Sequence, residues 1–412
     1  MTAVATSRIV DALADPRLLA ADRYDELVNT LLPRCDDWAI LGPELLFRGW
    51  LTPYQLDVLM RPKGRPLILG SYVLLEVIGE GGMGQIFRAR HAKFDTPAAV
   101  KVIRTERAAD ATTAARFLRE IRALGTVRHP GLVHALDADV EHGRLYCAME
   151  YVAGTDLQRL IETSGPLPIE TACRYATQVA QALQYVSTLG LVHRDVKPAN
   201  ILVPADGGPV KLVDLGLARF ELASPESAAG LTRAGVMIGT PDYASPEQIR
   251  DSHTADVRSD LYALGGTLYH MLTGRAPFGD CEPVDKMYHH LCRQPVPVTT
   301  LRSDVPAAVA TVVHTLLAKR AKDRYQDPAE VVAALADCLH KVGDTVIGSN
   351  TPTNIDIPVP QADWALPRTE EIPAGQLTLV TSAAPAAPRG YRHLLIAAAL
   401  AGLAAGVLVT LM

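Results

Sequence analysis

The run His193-Arg194-Asp195-Val196-Lys197-Pro198-Ala199-Asn200, followed by Asp214-Leu215-Gly216, has the residue types and spacing for phosphoryl transfer. That reaction asks little covalent chemistry of a protein. It needs a carboxylate facing the acceptor, oxygen ligands for Mg²⁺ and positive charge for the migrating group. The spacing H-R-D-x-x-x-x-N puts Asp195 where it can take the proton of a substrate hydroxyl, and Asn200 where its amide oxygen can bind a metal. Asp214 adds the hard carboxylate oxygen that Mg²⁺ prefers. Upstream, Gly79, Gly81 and Gly84 stand in a G-x-G-x-x-G spacing. Such glycines let backbone N–H groups approach phosphate oxygens with no side chain in the way. A dinucleotide-binding fold would open a helix after the last glycine. Here Gln85-Ile86-Phe87-Arg88-Ala89 reads as a strand, so the loop joins two strands. No G-x-x-x-x-G-K-[ST] occurs, which removes the P-loop reading. Lys101 lies in the apolar run Ala98-Ala99-Val100-Lys101-Val102-Ile103. A buried ammonium needs an anion, and Glu120, beside the apolar face of the next helix, is the candidate. The Lys101–Glu120 pair would aim the lysine at the α- and β-phosphates of ATP.

The elements that must position these groups follow from periodicity. β-rich runs come first, at 72–79, 85–90 and 98–103, and a helical stretch at 107–125 follows. Two more strand-like runs, LVHALDADV and RLYCAMEYV, precede Gly154, after which the chain turns helical apart from a hairpin-like 201–214. A small β-rich lobe before a larger helical lobe is an α+β arrangement with an interlobe cleft. Residues 1–71 read as short helices with apolar positions Ile9, Leu13, Leu27, Leu31, Leu56 and Leu59, a packing or regulatory extension without chemistry of its own.

Composition limits the alternatives. Of 412 residues, 48% are apolar and 21% charged, so most of the chain is globular. A formal net charge of -5 leaves no basic excess for a nucleic-acid backbone, and no nucleic-acid partner is expected. The six cysteines form no C-x-x-C pair and read as reduced thiols. Cys281, His289, His290 and Cys292 cluster in sequence, but within one expected helix and without a ligand pair at zinc spacing.

The chain resembles the bacterial serine/threonine protein kinases of the eukaryotic-like, Hanks type. Besides the motifs above, the resemblance rests on Met149-Glu150-Tyr151-Val152, on GTPDYASPE (239–247) and on DVRSDLYALGG (256–266). It implies the two-lobed protein-kinase fold over 72–342, with ATP and Mg²⁺ as cofactors and protein serines or threonines as substrates. Nucleotide contacts are then expected from Ile78, Gly79, Glu80, Gly81, Gly82, Met83, Gly84, Gln85, Ile86, Ala99, Lys101, Glu150 and Val152. Asp195, Lys197, Lys101 and Glu120 become the catalytic set, with Lys197 on the γ-phosphate, and Asn200 and Asp214 the metal ligands. Asp260 is expected to anchor the catalytic loop, and Arg324 to pair with Glu247. The usual D-F-G, A-P-E and V-A-I-K read here Asp214-Leu215-Gly216, Ser245-Pro246-Glu247 and Ala98-Ala99-Val100-Lys101. The lysine-proline usual before the late arginine reads Lys319-Arg320-Ala321-Lys322. Intact Lys101, Asp195, Asn200 and Asp214 argue against a pseudokinase scaffold, and the peptide-docking-like 239–247 argues against a small-molecule kinase.

Two further expectations concern control and location. Arg194, next to Asp195, is a cation that wants an anion, and phosphorylation between Asp214 and Glu247 would supply one. Thr240 is structural in the resembling family, while Thr232 matches a position that related kinases autophosphorylate; Thr232 is therefore the expected switch. Residues 343–393 are rich in Pro and Thr and read as a flexible linker. Residues 394–412 carry no charge and at about 1.5 Å per residue reach roughly 28 Å, enough for a single transmembrane tail anchor. Arg389, Arg392 and His393 flank its upstream side, so the kinase domain is expected on the cytoplasmic face of the cell membrane. Gly402 and Gly406 stand in G-x-x-x-G spacing, a close-packing face for a homodimer or a product of the Ala-rich composition.

Overall fold

The order of β-rich and helical segments becomes two lobes preceded by a helical module. The computed structural model describes residues 3–34, 37–61, 64–81, 84–103, 115, 118–119, 121, 125–215 and 241–346. The chain divides into units Met1–Asp363 and Trp364–Met412, and every described residue belongs to the first.

The first lobe is a six-stranded antiparallel sheet in the order β1-β2-β3-β4-β6-β5. Its strands are β1 (Ile68–Leu69), β2 (Tyr72–Gly81), β3 (Gly84–His91), β4 (Pro97–Ile103), β5 (Ala135–Glu141) and β6 (Arg144–Glu150). The strand β4 is buried from Ala98 to Ile103, which is why its sequence is a continuous apolar run and not an alternating one. Cα partners Lys101 and Cys147 align β4 with β6, fixing which face Lys101 presents. Of the stretch expected as a helix at 107–125, Ala115, Leu118, Arg119 and Ile121 are described and helical, with Ile121 buried.

The second lobe is helical: α5 (Leu157–Ser164), α6 (Ile169–Thr188), α7 (Pro246–Arg250), α8 (Val257–Thr273), α9 (Pro283–Cys292), α10 (Val298–Leu301), α11 (Ala307–Leu316) and α12 (Pro328–Val346). The helix α8 is buried without a break from Ser259 to Leu272, as expected of a helix at the centre of a lobe. Asp256 caps its start and Gly274, at φ 76°, ends it in the left-handed conformation. A three-stranded sheet lies at the front, formed by β7 (Gly154–Asp156), β8 (Ile201–Pro204) and β9 (Lys211–Leu212). The expected hairpin is β8–β9; β7 was too short to show a period.

Residues 3–61 form a module of their own, not a string of loose helices. Its helices are α1 (Ala3–Leu13), α2 (Ala21–Glu26), α3 (Trp38–Phe47) and α4 (Pro53–Met60). Ile9, Leu13, Leu27 and Leu59 are buried in one apolar core with Trp38, Leu41 and Leu45, while Leu31 and Leu56 pack against it. Val73 of β2 belongs to the same core, so the module and the sheet share an interior. Among the described residues no helix is long and apolar enough to cross a membrane, and residues 394–412 lie outside them.

Candidate active site

The catalytic loop is held by its backbone. The buried Asp260 on α8 accepts the His193 N–H on Oδ2 and the Arg194 N–H on Oδ1, each at 2.7 Å. Burial pushes the Asp260 carboxyl upward, and the neighbouring His193, with these two N–H donors, pulls against that. Arg194 sits at φ 71°, a conformation that costs a non-glycine residue energy and persists only where its surroundings over-determine it. Asp260 grips its N–H, and the Gln248 amide grips its carbonyl at 2.9 Å. The His193 ring is equally fixed: Nε2 donates to the Val213 carbonyl at 2.9 Å, and Nδ1 accepts the Asp195 N–H at 3.3 Å.

This scaffold brings five of the expected residues to one place. The Asp195 Oδ2 receives the Asn200 amide Nδ2 at 2.7 Å and the Lys197 ammonium at 2.9 Å. Asn200 Nδ2 also donates to the Asp195 carbonyl at 2.8 Å, so its amide oxygen is the atom left to face a metal. The Val213 N–H donates to the Asn200 carbonyl at 2.9 Å, which ties the residue before Asp214 to the loop. Asp214 sits at φ 65° and meets the Lys101 Nζ at 2.6 Å, joining the two lobes. The pair is largely withdrawn from water, with 6% of the Lys101 side chain and 18% of that of Asp214 exposed. A carboxylate and an amide oxygen are the hard donors that suit Mg²⁺, so this donor set fits that ion. Leu215 packs against the core, filling an apolar slot after Asp214. Glu120, expected as the partner of Lys101, lies outside the described residues, as do Thr232 and Thr240.

The glycine-rich segment falls in the β2–β3 hairpin, whose strands end on the facing pair Gly81 and Gly84. A Cβ at Gly84 would run into the Val102 carbonyl of β4, so only glycine fits where β3 begins its pairing with that strand. Gly79 pairs with Ile86 and Glu80 with Gln85, while Gly82 and Met83 lie outside the described residues. Ile78 is 46% exposed, whereas Ala99 and Met149 are buried at paired positions on β4 and β6. The Glu150 carboxylate is committed elsewhere: it accepts from the Lys211 ammonium at 2.5 Å and from His134 Nδ1 at 2.9 Å. Glu150 therefore ties the end of β6 to β9, and Val152 follows it half-buried.

Several supporting residues carry no motif of their own. Gln248 both closes the capping box of α7, with Ser245, and holds the Arg194 carbonyl. The S-P-E-Q string contains the capping signal, but only the fold brings α7 to the catalytic loop. Lys286 of α9 meets Asp242 at 2.7 Å, and Tyr243 shares a hydrogen bond of 2.7 Å with His270. Arg324 takes Glu247 in a two-pronged grip at 2.6 and 2.9 Å, and Ser259 donates to the same carboxylate at 2.6 Å. Burial would raise the Glu247 carboxyl, but the Arg324 and Ser259 donors outweigh it and hold the group at about 2. Lys319 donates to the Tyr262 hydroxyl at 3.0 Å and lies over the Tyr262 and Phe278 rings; burial foremost, and Arg324 nearby, lower it to about 8. Of the cysteine–histidine cluster, His290 is buried against Tyr262 and lowered to about 3 by burial, with Lys319 next in effect, while Cys292 is exposed and turned to the Tyr288 carbonyl.

Comparison with known proteins agrees with this geometry. Residues 72–336 match the protein kinase domain family. Over 273 residues the chain is 40% identical to the serine/threonine-protein kinase pkn3 of Myxococcus xanthus, covering 65% of this chain and 49% of that one. Over 268 residues it is 39% identical to the serine/threonine-protein kinase PknB of Mycolicibacterium smegmatis, covering 64% and 42%. The crystal structure of the PknI kinase domain of Mycobacterium tuberculosis is similar at a TM-score of 0.52 and 27% identity, over 66% of this chain and 97% of that one. The chain thus spans half or less of the length of these curated relatives. With the family matched across both lobes and curated bacterial relatives about 40% identical, the chain belongs to the protein kinase family, in its bacterial serine/threonine branch.

Proposed function

We propose that this chain transfers the γ-phosphoryl group of Mg²⁺-bound ATP to serine and threonine hydroxyls of proteins. The observation that carries the reading is the Asp195 carboxylate, held by Asn200 and Lys197 next to the Lys101–Asp214 pair. In this reading Asp195 orients the acceptor hydroxyl and takes its proton as the new P–O bond forms. Lys197, 2.9 Å from Asp195, carries positive charge to the migrating group. Lys101 serves the α- and β-phosphates, and the backbone at Gly79, Gly81 and Gly84, at the end of the β2–β3 hairpin, covers them. Asn200 and Asp214 would hold Mg²⁺, whose contribution when bound is to neutralise phosphate charge. Incubating the chain with labelled ATP, Mg²⁺ and a generic acceptor protein should give phosphoserine and phosphothreonine. Label transfer to small molecules alone, or no transfer, would remove the reading.

Control and location extend the same proposal. Thr232 is the phosphorylated switch in this reading, the charge of its phosphate answering the cation of Arg194. Mass spectrometry of active enzyme should find phosphate on Thr232, and Thr232→Ala should lower activity while leaving the melting temperature unchanged. A fully active Thr232→Ala enzyme would refute the switch. The uncharged run 394–412 supports a membrane tether with the kinase domain on the cytoplasmic side. Deleting residues 390–412 should move the protein from the membrane fraction to the supernatant with phosphoryl transfer intact. Retention of the truncated chain in the membrane would place the anchor elsewhere.

A further inference from the structure

We infer that the helical module 3–61, together with residues 64–67 that follow it, is a positioning device for the glycine-rich hairpin, and that Thr52 and Gln55 of the module and Arg65 after it are the positioning residues. The inference rests on the reading of that hairpin as the cover over the ATP phosphates. The family match begins at residue 72, so this module lies outside the part of the chain that the family explains.

The module and residues 64–67 hold the hairpin at three levels. At the base, Arg90 of β3 donates to the Arg17 carbonyl at 2.7 Å, and Arg17 donates to the Gly70 carbonyl at 3.3 Å. In the middle, the first turn of α4 reaches the β2 backbone directly. Gln55 is 3% exposed and its Nε2 donates to the Leu74 carbonyl at 2.9 Å, while the Thr52 hydroxyl donates to the Leu75 carbonyl. These contacts fall where the register between β2 and β3 breaks, between Leu74 and Glu76, and Leu75 has no Cα partner on β3. A bulge residue is left out of the ladder, so its carbonyl is free to take an outside donor. At the tip, the Arg65 guanidinium donates to Oε1 of Gln85, the residue after Gly84. Gln85 in turn reaches Glu80 across the hairpin with its Nε2, at 3.4 Å. Packing reinforces the grip: Val73, Leu75 and Ala92 join the apolar core of the module, and the Tyr54 ring lies 5.5 Å from that of Phe87.

The same two residues that start α4 also make the middle contact. Thr52 caps the helix with its hydroxyl and Gln55 completes the capping box. The helix end and the strand are therefore fixed by one set of atoms. A glycine-rich hairpin has much conformational freedom to lose when it closes over a nucleotide. Holding its strands in place beforehand removes part of that cost from binding. Loosening the grip should therefore weaken ATP more than it slows chemistry.

The test uses the full chain and compares Thr52→Val/Gln55→Leu with Thr52→Ser. The double variant keeps side-chain bulk but removes both donors; Thr52→Ser keeps the hydroxyl. We expect the KM for ATP to rise about three- to tenfold in the double variant, with kcat and the KM for the acceptor protein little changed. Hydrogen exchange without nucleotide should quicken in peptides covering β2 and β3 but not in those covering α8. Thr52→Ser should behave as the parent in both measurements. Unchanged exchange and an unchanged KM for ATP in the folded double variant would overturn the inference. Should that variant fail to fold, the exposed Arg65→Met carries the test: faster exchange around Glu80 and Gln85 supports the grip, and unchanged exchange overturns it. Absence of ATP binding by the parent chain would instead sink the reading of the hairpin as a phosphate cover, while the exchange comparison would still decide whether the module holds it.

Discussion

Asp195→Asn should lower kcat by roughly two to four orders of magnitude while leaving the dissociation constant for ATP nearly unchanged, the usual worth of a positioned base. The substitution preserves shape and removes the ability to accept a proton. In the parent, Oδ2 receives both the Asn200 amide and the Lys197 ammonium. An asparagine would turn its oxygen to those two donors, because the opposite orientation sets donor against donor. Its NH₂ would then face the acceptor hydroxyl, and the proton would have nowhere to go. The loss would appear in kcat and in kcat/KM together, the signature of an interaction made only in the transition state. Single-turnover phosphorylation with saturating ATP, alongside equilibrium nucleotide binding, separates these quantities. A parent-like rate would transfer the role of base to another group.

Arg324→Ala should destabilise the folded chain by about 3–5 kcal/mol, the cost of leaving a buried charge without its partner. The Arg324 side chain is fully buried and fills three roles at once. It grips Glu247, donates to the carbonyls of Ala318, Arg258 and Lys319, and lies 4.7 Å from the centre of the Tyr262 ring. In thermal unfolding the variant should melt roughly 5–10 °C lower. The pH dependence gives a sharper check. Glu247 is held at about 2 when folded against an ordinary 4.5, so the stability it contributes is fully present above pH 4.5 and is lost as pH falls towards 2. Without Arg324, burial dominates and the carboxyl rises, so the variant no longer loses that contribution on acidification. The stability gap between the two proteins should therefore narrow between pH 4.5 and 2. A gap that stays constant across this window would mean that Glu247 is not the partner that matters.

The grouping of Asp195, Lys197 and Asn200 was readable from the chain because they are adjacent in sequence and meet within one short loop. Lys101 announced itself because β4 is buried on both sides and a lysine inside an apolar run has to find an anion. The described anion is Asp214, a partner that only the approach of the two lobes supplies. Gln248, Lys286 and His270 were invisible for the same reason, since each acts on a segment that the fold carries to it. Lys319 illustrates the limit well. Its run departs from the usual lysine-proline, and what the lysine does becomes clear only with the Tyr262 hydroxyl and the Phe278 ring beside it. The module 3–61 was read as short helices, and Ile9, Leu13, Leu27 and Leu59 are indeed inside. Its attachment to β2 was not readable, because side-chain bonds to backbone carbonyls leave no periodic trace in a sequence.

The two N–H bonds that Asp260 accepts have a thermodynamic corollary. The catalytic loop borrows its shape from a helix whose middle is surrounded by the rest of its lobe. Loop order and lobe order therefore belong to one cooperative unit, not to a fragile surface patch on a sturdy frame. In a denaturant series, loss of catalytic competence should coincide with loss of the helical signal of that lobe, at one midpoint. The strained backbone at Arg194 is then not a weak spot: it survives as long as α8 does, and no longer.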